Sequence, residues 1–283
     1  MPNQYWWRSF KDKLMVGLAG MATLLVLLPL VAIFGYLVYR GIGALNWNFL
    51  TKIPKPVGES GGGMANAIVG SGLILLIASL IGVPMGIGTG VYLAEFGKKR
   101  FGYLVRFTAD VLNGVPSIVI GIVAWSLVVV YQRDFSALAG GVALGIMMVP
   151  VISRSTEEML LMVPQSLREA AWGLGVPQWR TTLSITLRTA SSGIITAVML
   201  SFARVAGETA PLLFTTLGNQ FWNFNVRRPT AALPLQIYTY AQSPYDDWHR
   251  QAWAGAFILI VMIVVSMSLV RMVVSRGVFK GGN

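Results

Sequence analysis

The sequence predicts an all-α polytopic membrane protein with six transmembrane helices, and three observations predict it. Of 283 residues, 55% are apolar and 12% charged, about half the charged share of an ordinary soluble domain. Mean hydropathy is +0.65. Six stretches reach the roughly 20 mostly apolar residues that a span requires; they cover about 14–39, 67–93, 111–131, 136–152, 190–213 and 252–274. Lys and Arg outside them fall unevenly. Fourteen share one side: Arg8, Lys11 and Lys13; Lys98, Lys99, Arg100 and Arg106; Arg154, Arg168, Arg180 and Arg188; Arg271, Arg276 and Lys280. Seven share the other: Arg40, Lys52 and Lys55; Arg133; Arg227, Arg228 and Arg250. The positive-inside bias puts both termini and 153–189 in the cytoplasm, and 214–251 outside. The net charge of +11, which in a soluble chain would suggest nucleic acid, is thereby a statement about orientation. With no cysteine in the chain, disulfide, thiol and metal-thiolate chemistry are excluded.

The first apolar run follows Arg8, Lys11 and Lys13 and continues to Tyr39 without an A-x-A site. It is too long for a signal-peptide core and is expected to be retained. In the second span Gly82, Gly86 and Gly90 recur every four residues, a spacing that lets another helix approach closely; Pro84 among them predicts a bend. The preceding GESGGGMANAIVGSG lacks GK[ST] and leads into a span, so it reads as a flexible lead-in rather than a phosphate loop. Pro116 and Ser117 suggest a break in the third span, with Ser117 facing a path.

The fifth span carries Arg204 and Glu208 in SFARVAGETAPLLF. Residues four apart share a helix face, and a charge at the bilayer centre costs from about 2.5 kcal/mol upward, so such residues face a bundle interior or a wet cavity. Three readings compete. The pair is a structural staple; Arg204 contacts a translocating anion through its planar forked donors; or Glu208 holds Arg204 in the resting cavity and limits how tightly the anion is trapped. The third is preferred. Pro211 is expected to bend or end the helix. Thr209 is placed on the path, whereas Thr215 and Thr216 are expected to bond back to their own backbone.

The segment 153–189 is too polar to span. Ser166 and Glu169 form an S-x-x-E capping box that predicts a helix from about Leu167. Leu167, Ala170, Ala171 and Leu174 share one exposed face, Gly175 suits the C-terminal cap, and Pro177 starts a second helix. On the outer side, DDWHR at 246–250 places the sole histidine beside two aspartates; solvated surface is preferred over a metal site there. LPLQIYTYA is expected to form a short helix along the membrane surface. No catalytic constellation, Walker motif or cofactor site is found, so the chain is not expected to hydrolyse ATP.

EAAWGLGVPQWRTTLSITL resembles the EAA loop of binding-protein-dependent ABC importer permeases. Glu169, Ala170, Ala171 and Gly175 match its pattern, and Leu187-Arg188 replaces the usual Leu-Pro. GGGMANAIVGSG, GIGTGVYLAEFGKK, VPSIVIG, REAAWGLGVPQW and ARVAGETAPLLF together resemble the phosphate-specific permeases of the PstA-type family, over nearly the whole chain. The resemblance implies a type I ABC importer permease fold, MetI-like, in a bacterial inner membrane. It divides the chain into 1–64 (cytoplasmic segment, first span, outer loop), 65–276 (transport core) and 277–283 (cytoplasmic tail). It implies a coupling helix near 167–175, in which Glu169, Ala170, Ala171, Leu174 and Gly175 dock on a cytoplasmic PstB-type ATPase. It also implies a second, PstC-type permease and an external PstS-type phosphate-binding protein at the outer loops. The equivalents of Arg204 and Glu208 are important for phosphate transport in that family. A permease for molybdate or sulfate, a membrane enzyme acting on phosphorylated lipids, and a scaffold or signalling subunit with a purely structural Arg-Glu pair are the rival readings.

Overall fold

The computed structural model describes the backbone of residues 2–97 and 99–279 and the side chains of residues 5, 7–97 and 99–272. Two long apolar helices form its spine: α3 (Ala65–Phe96) and α6 (Ala137–Leu161). They run parallel, joined along their length by glycine. A Cβ added at Gly82 would lie 2.6 Å from Met148 Cβ, at Gly86 2.7 Å from Ile152 Cβ, and at Gly90 2.5 Å from Thr156 Cβ. Gly141 and Gly145 of α6 return the contact against Ile77 and Ile81. Without side chains at these points the backbones come close enough for dispersion contacts along the whole seam. The spacing read from the sequence is thus the packing code. Pro84 sits on the exposed side, and the helix continues through it.

The other elements are placed on this spine. Helix α1 (Pro2–Ala44) is exposed from Leu14 to Tyr36 and packs only near its C-terminal end, with Tyr36 against Trp253 and Gly41 against Phe257. After the short α2 (Trp47–Thr51) comes α3, and then α4 (Arg100–Gly114). The chain turns by 107° into α5 (Ser117–Gln132), which contains a π-turn over Trp125–Val129. Beyond α6 lie α7 (Gln165–Gly173) and α8 (Gln178–Ala206), the latter with a π-turn at Thr182–Thr186. Helices α9 (Ala210–Thr215), α10 (Leu233–Ala241) and α11 (Asp246–Phe279) complete the chain. Helix α8 runs antiparallel to the spine. Its middle residues Ala190 and Ile194 pack with Ala94 and Leu160, and its last residues Val205 and Ala206 with Ile74, Ala78 and Leu144.

Five helices are long and apolar enough to span, and six if the bent pair α4–α5 counts as one. The all-helical, polytopic expectation holds, and the differences lie at the ends. The third predicted span, 111–131, joined two elements: residues up to Gly114 belong to α4, and the break expected at Pro116–Ser117 is the true start. Pro116 supplies it, because proline bars the preceding residue from helical geometry. The fourth span does not stop at 152. It runs to Leu161 because Ser153, Thr156 and Glu157 are accommodated in the protein interior. The fifth begins earlier, at Gln178, and ends at Ala206 rather than 213. Helix α10 forms at LPLQIYTYA, but buries Leu233 and Leu235 in the protein and donates the Leu233 N–H to Ser71 Oγ at 2.6 Å. Lys98 and Lys280, the side chain of Arg276 and the last residues of the 277–283 tail lie outside the described residues.

The seam makes a direct prediction. Gly86→Leu pushes α6 away and should abolish accumulation of the chain in membranes, an overpacking penalty of about 3 kcal/mol or more. Gly88→Ala, whose Cβ meets nothing within 4 Å, should accumulate at the wild-type level on an immunoblot.

Candidate substrate path and coupling helix

The charged pair sits where α8 stops. The last helical residue is Ala206, Gly207 caps the C-terminus, and Glu208 and Thr209 form the link to α9. Glycine at this position weakens the helix, and Pro211 at the second position of α9 cannot continue the earlier hydrogen-bond ladder. The break lies short of the level of the α3 end. Val205 and Ala206 pack beside Ile74, nine residues inside α3, or about 14 Å from its end at 1.5 Å per residue. Non-helical backbone at such depth is tolerated only where protein buries it or where it lines a watery cavity.

Arg204 is exposed, while Glu208 and Thr209 are half-buried. The two charges do not pair. Among the described residues neither takes part in an ion pair. The expectation of an i,i+4 couple is corrected here, because Gly207 ends the helical register before Glu208. Arg204 lies instead in the last turn of α8, where a cation complements the negative end of the helix dipole. Half-buried Ser117 opens α5, and one turn later Gly121 packs directly on Pro211 Cα. Helix α5 and the start of α9 are thus neighbours. Thr215 Oγ1 donates to Pro211 O at 2.8 Å and Thr216 Oγ1 to Leu212 O at 3.0 Å, the back-bonding expected of both. Beyond α9 a cleft of about 360 Å³ opens between Leu213 and Tyr240.

At the opposite end of the spine is α7. Its Glu169, Ala170 and Leu174 are exposed, and Gly175 adopts φ +78° just past the helix, the left-handed cap that glycine favours. Two details differ from the sequence reading. The helix starts at Gln165 with Pro164 in the cap position, and Ser166 makes no capping bond; proline's fixed φ places the boundary two residues before the S-x-x-E box. Ala171 is not part of the exposed face. It is buried with Arg168, three residues before it.

The same end contains charges that the sequence reading passed over. Glu157, with 4% of its side chain exposed, accepts from Arg106 Nε at 2.6 Å and Arg154 Nη1 at 2.9 Å. Arg154 Nε also reaches Asp110 at 3.0 Å. Arg106 donates to the carbonyls of Leu93 and Gly97 at 3.0 and 2.8 Å, and Leu93 O also accepts from the Gly97 N–H that caps α3. Arg168 Nη1 meets Glu95 Oε1 at 2.6 Å. Of these contacts only Arg154–Glu157 has a helical spacing that sequence could reveal. The two outer motifs read as bland also meet. Asp247 accepts from the Gly61 N–H at 3.0 Å and from Gln251 at 2.9 Å, and Gln251 donates to Gly61 O at 3.0 Å. The glycine-rich lead-in is pinned rather than loose, and the Asp247 carboxylate is occupied by protein donors.

Residues 82–277 match the family of binding-protein-dependent transport system inner membrane components. The chain belongs to this family. Its permeases form the membrane part of ABC transporters and are not themselves enzymes; an ATPase and a binding protein are their partners. A phosphate transport system permease protein PstA from Yersinia pestis is 43% identical over 271 residues, covering 95% of this chain and 92% of its own. PstA from Haemophilus influenzae is 44% identical, covering 92% and 93%. A probable PstA from Methanocaldococcus jannaschii is 34% identical over 93% and 94%. Among solved structures, a chain of the MetNI methionine ABC transporter in an inward-facing conformation gives a TM-score of 0.60 at 18% identity, covering 78% of this chain and 98% of that one. That likeness carries the fold, which is the MetI-type permease fold expected from the sequence.

The ionic cluster generates a prediction about this family member. Glu157→Ala leaves two arginines without their shared carboxylate, and should cost about 3 kcal/mol, the lower end for a broken buried pair because both arginines keep some solvent. Ser166→Ala, which removes no bond, should stay within about 0.5 kcal/mol. Thermal unfolding of the purified variants in detergent checks both.

Proposed function

We propose that this chain is one permease subunit of an ATP-driven importer of inorganic phosphate, and that Arg204 lines the passage. The observation that carries the reading is the end of α8 short of the level of the α3 end, with an exposed guanidinium in its last turn. A lipid-facing position there would be costly. The passage is therefore completed by a second permease, of the PstC type, across the face that exposes Arg204. Guanidinium offers planar, paired donors that fit two oxygens of a tetrahedral anion. Ser117 and Thr209 add neutral donors, and Glu208, on the far side of the break, tempers the local positive charge without tying the guanidinium down. Weak, exchangeable contacts of this kind suit a conduit, which must release what it admits.

Fork-shaped donors fit sulfate and molybdate as well. The choice of phosphate rests on the names of the relatives, at 43–46% identity over most of the chain. In this reading the termini and α7 are cytoplasmic, as the charge bias indicates. Glu169, Ala170, Leu174 and Gly175, with Ala171 behind them, form the contact with a PstB-type ATPase. The outer segments, including the pinned loop at Gly61 and the stretch 218–232, face a PstS-type phosphate-binding protein. Closure of the ATPase pair moves α7, and the spans rock so that the cavity at Arg204 opens first outward and then inward.

The test is phosphate uptake by the reconstituted complex. Arg204→Gln should reduce uptake at least a hundredfold, while the complex assembles in normal yield. Excess sulfate or molybdate should not compete with labelled phosphate in the wild type. Wild-type uptake by Arg204→Gln would overturn the role of Arg204, and equal competition by sulfate would replace phosphate with a general oxyanion.

A further inference from the structure

The mechanism above needs α7 to act as a lever, yet a helix joined to the bundle by a short linker is a hinge. Only residues 162–164 separate α6 from α7. Such a linker lets α7 swivel under an applied force and leave the spans in place.

One side chain removes that freedom. Arg168 carries every side-chain hydrogen bond between α7 and the spans among the described residues. Its Nη1 meets Glu95 Oε1 on α3 at 2.6 Å, and its Nη2 meets Leu160 O on α6 at 2.8 Å. The side chains of Arg168 and Glu95 are 10% and 4% exposed, and Ala171, on the same face, is 3% exposed. Two bonds from one planar group to two different helices fix an angle as well as a distance. The grip lies on the last turn of α3, which Arg106 holds from the other side through the carbonyls of Leu93 and Gly97. Because Arg106 is also tied to Glu157, two ionic groups, one joining α4 to α6 and one joining α7 to α3, meet at the end of α3.

We infer that Arg168 is a positioning residue of transport: braced by Glu95 and Leu160 O, it turns the ATPase-contacting helix into a rigid lever on α3 and α6. Arg168 faces inward, so the exposed contact face of α7, with Glu169, Ala170 and Leu174, is left to the partner. This inference rests on the importer reading, and on the ATPase contact at α7 within it.

The test uses the complete complex in proteoliposomes, with its ATPase, second permease and loaded binding protein. Glu95→Gln keeps the shape of the side chain and removes its charge. It should yield an assembled complex in which the binding protein stimulates ATP hydrolysis but phosphate moved per ATP falls at least tenfold. Glu95→Asp, which keeps the carboxylate, should recover a substantial part of that ratio, and Arg168→Lys, which keeps the charge but lacks the fork, should fall between. An assembled Glu95→Gln complex with the wild-type ratio overturns the inference. So does failure of both Glu95→Gln and Glu95→Asp to assemble, which makes the pair a folding contact only. Failure of the phosphate reading would appear in the wild type instead, as binding-protein-stimulated ATP hydrolysis with no phosphate movement.

Discussion

The close approach of α3 and α6 is the constraint on which the rest depends. Glycines on both helices remove side chains from the contact, so the two backbones lie nearly flush over Ile77 to Gly90 on one side and Gly141 to Thr156 on the other. Parallel helices joined this way cannot slide without driving a Cβ into a neighbouring backbone, because packed interiors resist continuous deformation. The seam therefore fixes a common depth scale. Helix α8 is set against it from its middle to its end, with Gly193 seated on Met159 and Val205 beside Leu144. Helix α5 reaches the same region through Gly121 on Pro211.

From this scale follows the significance of the break at Gly207. Near the end of α3 it would be an ordinary helix terminus. Placed about 14 Å inside, it ends α8 at a level where α3 still continues, and backbone left open there needs protein or water to satisfy it. The polar link 207–209 and a guanidinium that makes no ion pair among the described residues stand there, with α5 set close by through Gly121 on Pro211. Transport proteins use interrupted helices for this purpose, because the break exposes polar groups that a continuous helix hides. The opposite end of the spine has the complementary character. There Glu157, Glu95 and Arg168 are paired and buried, which suits transmission of force rather than exchange of ligand.

Much of this was legible in the sequence. The spans, the glycine seam, the left-handed Gly175, the back-bonding of Thr215 and Thr216 and the break before Ser117 follow from local rules with a fixed period or a fixed φ. What was missed required knowledge of several competing local signals or of distant partners. Glycine at 207 outweighed the i,i+4 spacing of Arg204 and Glu208. Proline at 164 outweighed the capping box at Ser166. Glu95 and Arg168 are 73 residues apart, and Arg106 and Glu157 are 51 apart; each residue alone reads as a topogenic charge or a solvated end. The docking of Asp247 and Gln251 on Gly61 spans 186 and 190 residues, and neither motif hints at the other.

The central claim is that the link after α8 borders an aqueous passage. The chain contains no cysteine, so a single introduced thiol reports its own surroundings. Thr209→Cys, in the assembled complex, should react with a charged, membrane-impermeant thiol reagent, and phosphate should slow the reaction. Leu28→Cys, on the apolar exposed face of α1, should stay inert. If Thr209→Cys proves as unreactive as Leu28→Cys in both resting and ATP-bound complexes, the link faces lipid or closed protein, and the passage does not run past Arg204.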